Sequence, residues 1–420
     1  APTLSSDDFH DPAARMVFEV CQTLNAQSKL CDIRTVADVL RVSGKLELIG
    51  GGQTLVDMTN AFTLAAHAEH YCEKVKDKSG LRKVLKLCMQ TIQDCYAGED
   101  EAVQVTERLE KGLFALEQMD PRAGLEHIGP AVMQACEDLE KRIEAKQTIT
   151  GVPTGFQKLD FLTSGLQPGN VIIIAARPGF GKTVLATNIA INTVKKGIPT
   201  AFFSLEMTRE EILLRALSAQ SSINHWKLRA GKLNPMEIDR LANTAAEFSE
   251  TPFYFSCPSS SPTPGAIRSS CRRLISKLRT EKKKLGLLVV DYLQLMKGGE
   301  KYKESRETEV AGISRAMKQM AMEFNVPIIV LSQLNRATEG LGHTGRPKLA
   351  NLRESGSIEQ DANVVIFIYR EGFYKAGASD GDRAKTELII AKQRNGALGE
   401  VDLIFDKDCV RFLELDARSE

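Results

Sequence analysis

Residues 171–191 read VIIIAARPGFGKTVLATNIAI, and the fold is decided there. A continuous apolar run ends at Ala176, a glycine-rich turn follows, and the remainder has the composition of a helix. An unalternating run of this kind is expected of a strand buried on both faces. In ARPGFGKT, residues 176–183, the spacing is that of a phosphate-binding P-loop, with Ala176 in place of the first glycine. Gly179 and Gly181 free the backbone to curl with its N–H groups inward, and the helix N-terminus adds its own donors. The stretch Arg177, Pro178, Gly179, Phe180, Gly181, Lys182, Thr183 and Val184 is therefore the expected nucleotide-binding set. Lys182 would reach the β- and γ-phosphates and the Thr183 hydroxyl would ligate Mg²⁺, so ATP and Mg²⁺ are the expected cofactors. A glycine-rich turn with no ligand is the competing reading, and the strand before and helix after argue against it.

Working outward, the same texture recurs from residue 151 onward. Apolar runs alternate with helical stretches: IPTAFFSLE (198–206), LGLLVVDYLQLM (285–296), VPIIVLSQL (326–334), ANVVIFIYR (362–370) and ELIIAKQ (387–393). Strands alternating with helices predict an α/β fold with a mostly parallel, twisted sheet. Asp291 ends one run, where a carboxylate would hold Mg²⁺ through its water shell. Glu206 ends another, where it can orient and polarise an attacking water at the carboxyl edge of the sheet. Gln333 ends a third, where its amide can sense the γ-phosphate. Plain strand-end turn residues are the alternative for all three, strongest for Gln333.

The first 120 residues are different. ARMVFEVCQTLNAQ (14–27) and LRKVLKLCMQTIQDCY (81–96) place apolar residues at three- and four-residue steps, which predicts helices. Glycines 50–52 punctuate them, and no catalytic constellation is visible, so a helical interaction domain is expected over 1–120. Residues 121–150 read as a linker. Gly129-Pro130 can start a helix, and Ile128, Val132, Cys136, Leu139 and Ile143 form one apolar stripe. That stripe would pack on its own C-terminal domain or dock on a neighbouring subunit.

Composition narrows the class. Of the 420 residues, 43% are hydrophobic and 26% charged, the profile of a soluble globular chain of two or three domains. No apolar run reaches the roughly 18 residues a membrane span needs, and the N-terminus has no secretory signal pattern. A cytoplasmic location with no membrane partner is expected. Nine cysteines lack any CxxC spacing and are odd in number, so buried reduced thiols are expected rather than a zinc or disulfide framework. Residues 1–120 carry 13 Lys+Arg against 19 Asp+Glu, a net −6, which leaves +7 for residues 121–420. A moderately basic C-terminal part suits a polyanionic partner.

Taken together, TGVPTGFQKLD (150–160), ARPGFGKT, FFSLEM, LLVVDYLQLM, VPIIVLSQLNR, NLRESGSIEQDANVVIFIYR (351–370) and AKQRNGALGE (391–400) resemble the DnaB family of replicative helicases. The likeness runs in order through residues 150–410. SLEM, VVDYLQLM, RESGSIEQDA and KQRNG in one chain are a specific set. Residues 1–120, as in SGKLELIGGGQTLVDM (43–58), resemble the family's helical collar, here beginning without its usual first helix. The resemblance implies a RecA-like ATPase core over 151–420 and a homohexameric ring moving 5′ to 3′ on single-stranded DNA at the replication fork. It also implies a primase and a helicase loader as partners. Arg394 matches an arginine finger that reaches the neighbour's site, with Lys392 as its companion; Arg353, Glu354 and Gly356 match a central loop that tracks the DNA backbone. As bare chemistry, two cations on one face of a strand end suit phosphate, or are a solvated basic edge. The glycine-rich basic loops 297–306 and 335–348 can line a channel, or are ordinary surface loops. The basic run Arg268–Lys284 reads as a solvated helix face. A strand-exchange filament of the RecA type, or a non-motor ATPase that loads or scaffolds other proteins, are the rival functions.

Overall fold

The computed structural model of the chain describes residues 4–60, 68–98, 100, 102–118, 128–144, 149–258, 261–296, 306–334, 346–374, 377 and 379–415. It divides into two compact units, Ala1–Cys136 and Glu137–Glu420.

The first unit is helical among its described residues. Helices Pro12–Ala26 and Ile33–Val42 start on Asp11 and Asp32, whose carboxylates accept from the backbone N–H groups of Ala14 and Thr35. Aspartate at the N-cap satisfies a donor that has no partner inside the helix. Leu24, Val36, Leu40, Ile49 and Leu55 form a small core, with Met16, Val17 and Val20 packed on it. Helices Ala68–Ala97 and Ala102–Gln118 make a hairpin tied by Arg108, which pairs with Asp94 at 2.8 Å and Asp100 at 2.6 Å. Leu81, Leu85, Met89, Ile92 and Tyr96 on the longer helix are exposed.

The helix Ile128–Glu144 carries the apolar stripe expected of the linker, and all five of its stripe residues are exposed. Residues 121–127 and 145–148 of that linker lie outside the described residues.

The second unit is built on a nine-stranded sheet: β1 Val171–Ala176, β2 Thr200–Ser204, β3 Phe253–Ser256, β4 Leu287–Asp291, β5 Ile328–Gln333, β6 Val364–Tyr369, β7 Lys385–Gln393, β8 Gly399–Asp406 and β9 Arg411–Glu414. Their order is β3-β2-β4-β5-β1-β6-β7-β8-β9. The first six are parallel, and β7, β8 and β9 continue as an antiparallel meander. All six residues of β1 are buried. Its odd side (Ile173, Ala175) joins a core with Met317 and Met320 of helix Arg306–Phe324. Its even side (Ile172, Ile174) joins one with Leu185 and Ile189 of helix Lys182–Lys195. Each such isoleucine contributes about 1.5–3 kcal/mol on burial, which is why the run tolerates no polar alternation.

ELIIAKQ differs from the other runs. β7 alternates between buried and partly exposed residues, with Thr386, Leu388 and Ile390 buried: Leu388 and Ile390 join one core fully, while Ile389 and Ala391 on the other face pack only partly against the second. The cysteines also depart from expectation: only Cys271 and Cys409 are buried, while Cys31, Cys88, Cys95 and Cys136 are exposed. The four exposed ones all lie in the helical first unit, whose small core leaves most helix faces uncovered. The basic run is as read, on helix Pro264–Thr280, with Arg272 paired to Glu323 at 2.7 Å. Among the described residues, no helix is long and apolar enough to cross a membrane.

Candidate functional site

β1 lies between β5 and β6; its own connection runs toward β2 while that of its neighbour β5 crosses to β6, so a crevice opens at the carboxyl ends of these two strands. Arg177–Gly181 turn there, with the Phe180 N–H donating to the Arg177 carbonyl at 3.2 Å. Gly181 caps the helix Lys182–Lys195 at φ 96°. A Cβ at Gly181 would stand 2.9 Å from the Phe412 ring, so both conformation and space require glycine. Gly179 is also left-handed, at φ 78°. Phe180 and Val184 are buried, and the Phe180 ring packs 5.1 Å from Phe373. Arg177 donates to the Tyr374 hydroxyl at 3.1 Å, which fastens the loop to the segment after β6. Pro178 is exposed at the loop's tip.

Lys182 begins the helix and is nearly buried. Its Nζ lies 3.0 Å from Glu206 Oε2, 3.4 Å from Asp291 Oδ1 and 3.9 Å above the Tyr292 ring. Asp291 ends β4 fully buried. Burial pushes its carboxyl above the usual range and the nearby Glu206 adds to this, while Lys182 and the Thr183 hydroxyl pull the other way. Its Oδ2 is buried with no hydrogen-bond partner. A buried carboxylate oxygen left bare beside a threonine hydroxyl fits a hydrated Mg²⁺, which would give it the partner it lacks.

Glu206 lies just past β2 in a turn tied to β4, where the Leu205 N–H donates to the Asp291 carbonyl at 2.6 Å. Its side chain is about half exposed at 49%, so it opens toward the crevice rather than into the core. Gln333 ends β5 in register with Ala176, directly beside the loop. Lys182, Thr183, Glu206, Asp291 and Gln333 are thus gathered at one edge of the sheet.

Lys392 and Arg394 are not gathered there. β7 runs antiparallel to β6, with Gln393 opposite Val364, and Val364 is level with Ile172 at the start of β1. At about 3.3 Å per residue, they sit roughly 13 Å of strand below the point where the loop begins. Lys392 Nζ donates to the Glu359 carbonyl and Arg394 Nη2 to the Gln360 carbonyl. Residues 353–356 are described by their backbone alone, Arg353 and Glu354 in the 3-10 stretch Leu349–Ser355 and Gly356 opening helix Gly356–Asp361. Of the two basic loops, 297–305 and 335–345 lie outside the described residues. Arg346 is committed elsewhere, paired with Glu387 at 2.8 Å and with Glu400.

The structure also brings in residues the sequence did not single out. Arg215, on helix Arg209–Ser221, shares a face with buried Ile212, Ala216 and Ala219. Burial lowers its pKa while Glu211, Asp291 and Glu206 raise it, so it senses both site carboxylates. Arg370 is buried between Phe373 and Phe405, 4.5 and 4.6 Å from the two rings, and burial lowers it to about 10. Helical spacing after SLEM was a usable signal for Arg215; nothing in the local sequence points to Arg370.

A mostly parallel sheet carrying this loop and these carboxylates defines a RecA-like P-loop ATPase. The family profile described as DnaB-like helicase C terminal domain matches residues 151–414, and that described as DnaB-like helicase N terminal domain matches residues 1–77. The chain belongs to the DnaB-like replicative helicase family, and it is an ATP-dependent DNA helicase of DNA replication. It is 37% identical to the replicative DNA helicase DnaB of Geobacillus stearothermophilus over 99% of this chain and 90% of that one. It is also 37% identical to the replicative DNA helicase DnaC of Bacillus subtilis (strain 168), with the same coverage. Among solved structures, a DnaB-like replicative helicase studied with its interactions with primase superposes with a TM-score of 0.75 at 29% identity, covering 98% of this chain and 94% of that chain. A second solved structure, of an ATPase domain on its own, superposes at 0.64 and 34% identity, over 70% of this chain and all of the other.

Proposed function

We propose that the chain works as a homohexameric ring that moves 5′ to 3′ along single-stranded DNA and opens the duplex ahead of it. In this reading residues 1–120 are a collar, 121–150 a linker whose helix docks on a neighbour, and 151–420 the motor. ATP is held by residues 177–184, Lys182 neutralises the β- and γ-phosphates, and Thr183 and Asp291 hold Mg²⁺. Glu206 accepts the proton of the attacking water, and Gln333 senses the γ-phosphate. Arg353, Glu354 and Gly356 meet the DNA backbone.

The observation that carries the ring is the separation of Arg394 and Lys392 from Lys182 across the sheet. Two cations that cannot serve their own phosphates are free to serve those of the next copy. The exposed stripes on helices Ala68–Ala97 and Ile128–Glu144 support self-association. A primase and a loader are proposed partners, and the cytoplasmic replication fork the proposed location.

Unwinding of forks that bear only a 5′ or only a 3′ single-stranded tail, with ATP, tests the polarity. Unwinding confined to 3′-tailed forks would reverse it, and none on either would end the motor reading. A strand-exchange filament predicts open helices rather than closed rings in electron micrographs.

A further inference from the structure

Arg370 follows directly on β6, the strand beside β1, and no step of the proposed reaction uses it. The residue is buried, and no carboxylate offsets its charge among the described residues. A buried cation without a paired anion is costly. Two aromatic rings and one carbonyl hold it instead. Its Cζ stands 4.5 Å from the centre of the Phe373 ring and 4.6 Å from that of Phe405. Its Nε donates to the Arg383 carbonyl at 3.1 Å, and its Nη2 donates to the same oxygen. A planar guanidinium can stack on rings through its faces while its edge donates hydrogen bonds.

Each of those rings leads to the glycine-rich loop. The Phe373 ring packs 5.1 Å from that of Phe180. Phe405, on β8, packs 5.0 Å from Phe412, its partner in register on β9. A Cβ at Gly181 would stand 2.9 Å from the Phe412 ring and 3.9 Å from that of Phe405. The guanidinium thus joins two sets of ring contacts that end on neighbouring loop residues, Phe180 and Gly181. These residues immediately precede Lys182, so their backbone sets where the cradle of N–H groups points.

We propose that Arg370 is a positioning residue for ATP binding, which bridges Phe373 and Phe405 and so fixes both sides of the turn at Phe180 and Gly181. It acts through the rings rather than by contact with the nucleotide. The proposal rests on the reading that residues 177–184 hold ATP. Phe373 is 50% exposed, so without the bridge it is free to leave Phe180, and the loop loses one of its supports. Lysine at position 370 keeps the charge but offers no plane to stack between two rings.

The test uses the full chain, a non-hydrolysable ATP analogue with Mg²⁺, and ATP turnover on single-stranded DNA. Arg370→Lys should weaken binding of the analogue roughly 10- to 100-fold, the size of one hydrogen bond to a charged group. Its kcat at saturating ATP should stay within about twofold of wild type, the pattern of a loss in binding alone. A merely structural role would lower the melting temperature and leave both values of the folded protein in place. Phe373→Ala breaks the same bridge at its half-exposed end, so it should weaken binding likewise. The double variant should bind no more weakly than the worse single one, because both remove one connection. Wild-type affinity in a folded Arg370→Lys chain, or additive losses in the double variant, would overturn the proposal. Phe373→Ala serves alone if the Lys variant does not fold, and wild-type affinity there would overturn it too. If Lys182→Ala binds the analogue as tightly as wild type, it is the loop reading that fails, and this proposal with it.

Discussion

Lys182 Nζ and Glu206 Oε2 lie 3.0 Å apart, so the candidate site closes on itself with an ion pair between the lysine proposed to bind phosphate and the carboxylate proposed to activate water. The glutamate end of the pair is half exposed, where such a contact is worth little. An incoming triphosphate can therefore take the lysine and leave Glu206 free to face the water. Lys182→Ala should abolish both ATP hydrolysis and strand displacement, because the loop loses the ammonium proposed to neutralise the β- and γ-phosphates. Phosphate release at a near-normal rate would end the P-loop reading.

Glu206→Gln should bind ATP and hydrolyse it very slowly, since the amide keeps the shape and loses the base. Removing a positioned base lowers the rate by roughly 10²–10⁴-fold. Nucleotide binding and single-turnover hydrolysis, measured separately, decide it. A variant that fails to bind ATP would make Glu206 structural and move the water-activating role to another group.

Gly181→Ala tests the loop's backbone. At φ 96° and 2.9 Å from the Phe412 ring, the added methyl meets both strain and a clash. Left-handed backbone at a residue with a Cβ costs about 1–2 kcal/mol before the clash is counted. The melting temperature should fall and ATP affinity with it. Unchanged values for both would mean that Phe412 yields and that the turn is not held by packing.

Most of the ATPase edge was legible because its residues are fixed by local pattern. A fully buried strand such as β1 must be uniformly apolar, and a loop such as 177–181 needs glycine at left-handed positions, so Asp291, Glu206 and Gln333 could be placed as strand-end groups. β8 was less visible: it alternates, with Val401 and Leu403 inward and Asp402 outward, and so lacks the unbroken apolar run that marks the buried parallel strands. β3 is four partly buried residues with little signal of its own. Contacts made across long separations were also hidden. No local pattern foretells that Tyr374 would fasten Arg177, or that Arg394 would rest on the Gln360 carbonyl.

Binding to single-stranded DNA should be salt-sensitive and nearly indifferent to base sequence, because contacts to phosphates release counterions whatever the bases are. Arg353→Ala should weaken binding and reduce the slope of log affinity against log salt by about 0.7, the value for one phosphate contact on a single strand. Titrations by fluorescence anisotropy at several salt concentrations give the slope. An unchanged slope would move the DNA contact away from residues 353–356.

The last prediction addresses the ring through Arg394. Its side chain rests at the edge of the sheet away from the loop, so within one subunit it is badly placed to reach a γ-phosphate beside Lys182. A guanidinium supplied from the next copy can stabilise transition-state charge, an effect of roughly 10³–10⁵ in rate for arginine fingers. Arg394→Ala should therefore bind ATP and lose most hydrolysis. Mixed with Lys182→Ala under conditions that let subunits exchange, it should regain part of it. Some interfaces would then join an intact loop, from the Arg394→Ala chain, to an intact finger, from the Lys182→Ala chain. The recovery should rise and then fall with the mixing ratio, since either variant alone offers no complete interface, and coupling around the ring would limit its height. Native mass spectrometry establishes that the rings are mixed. Mixed rings with no recovery at any ratio would mean that Arg394 acts within its own subunit or only props the end of helix Gly356–Asp361.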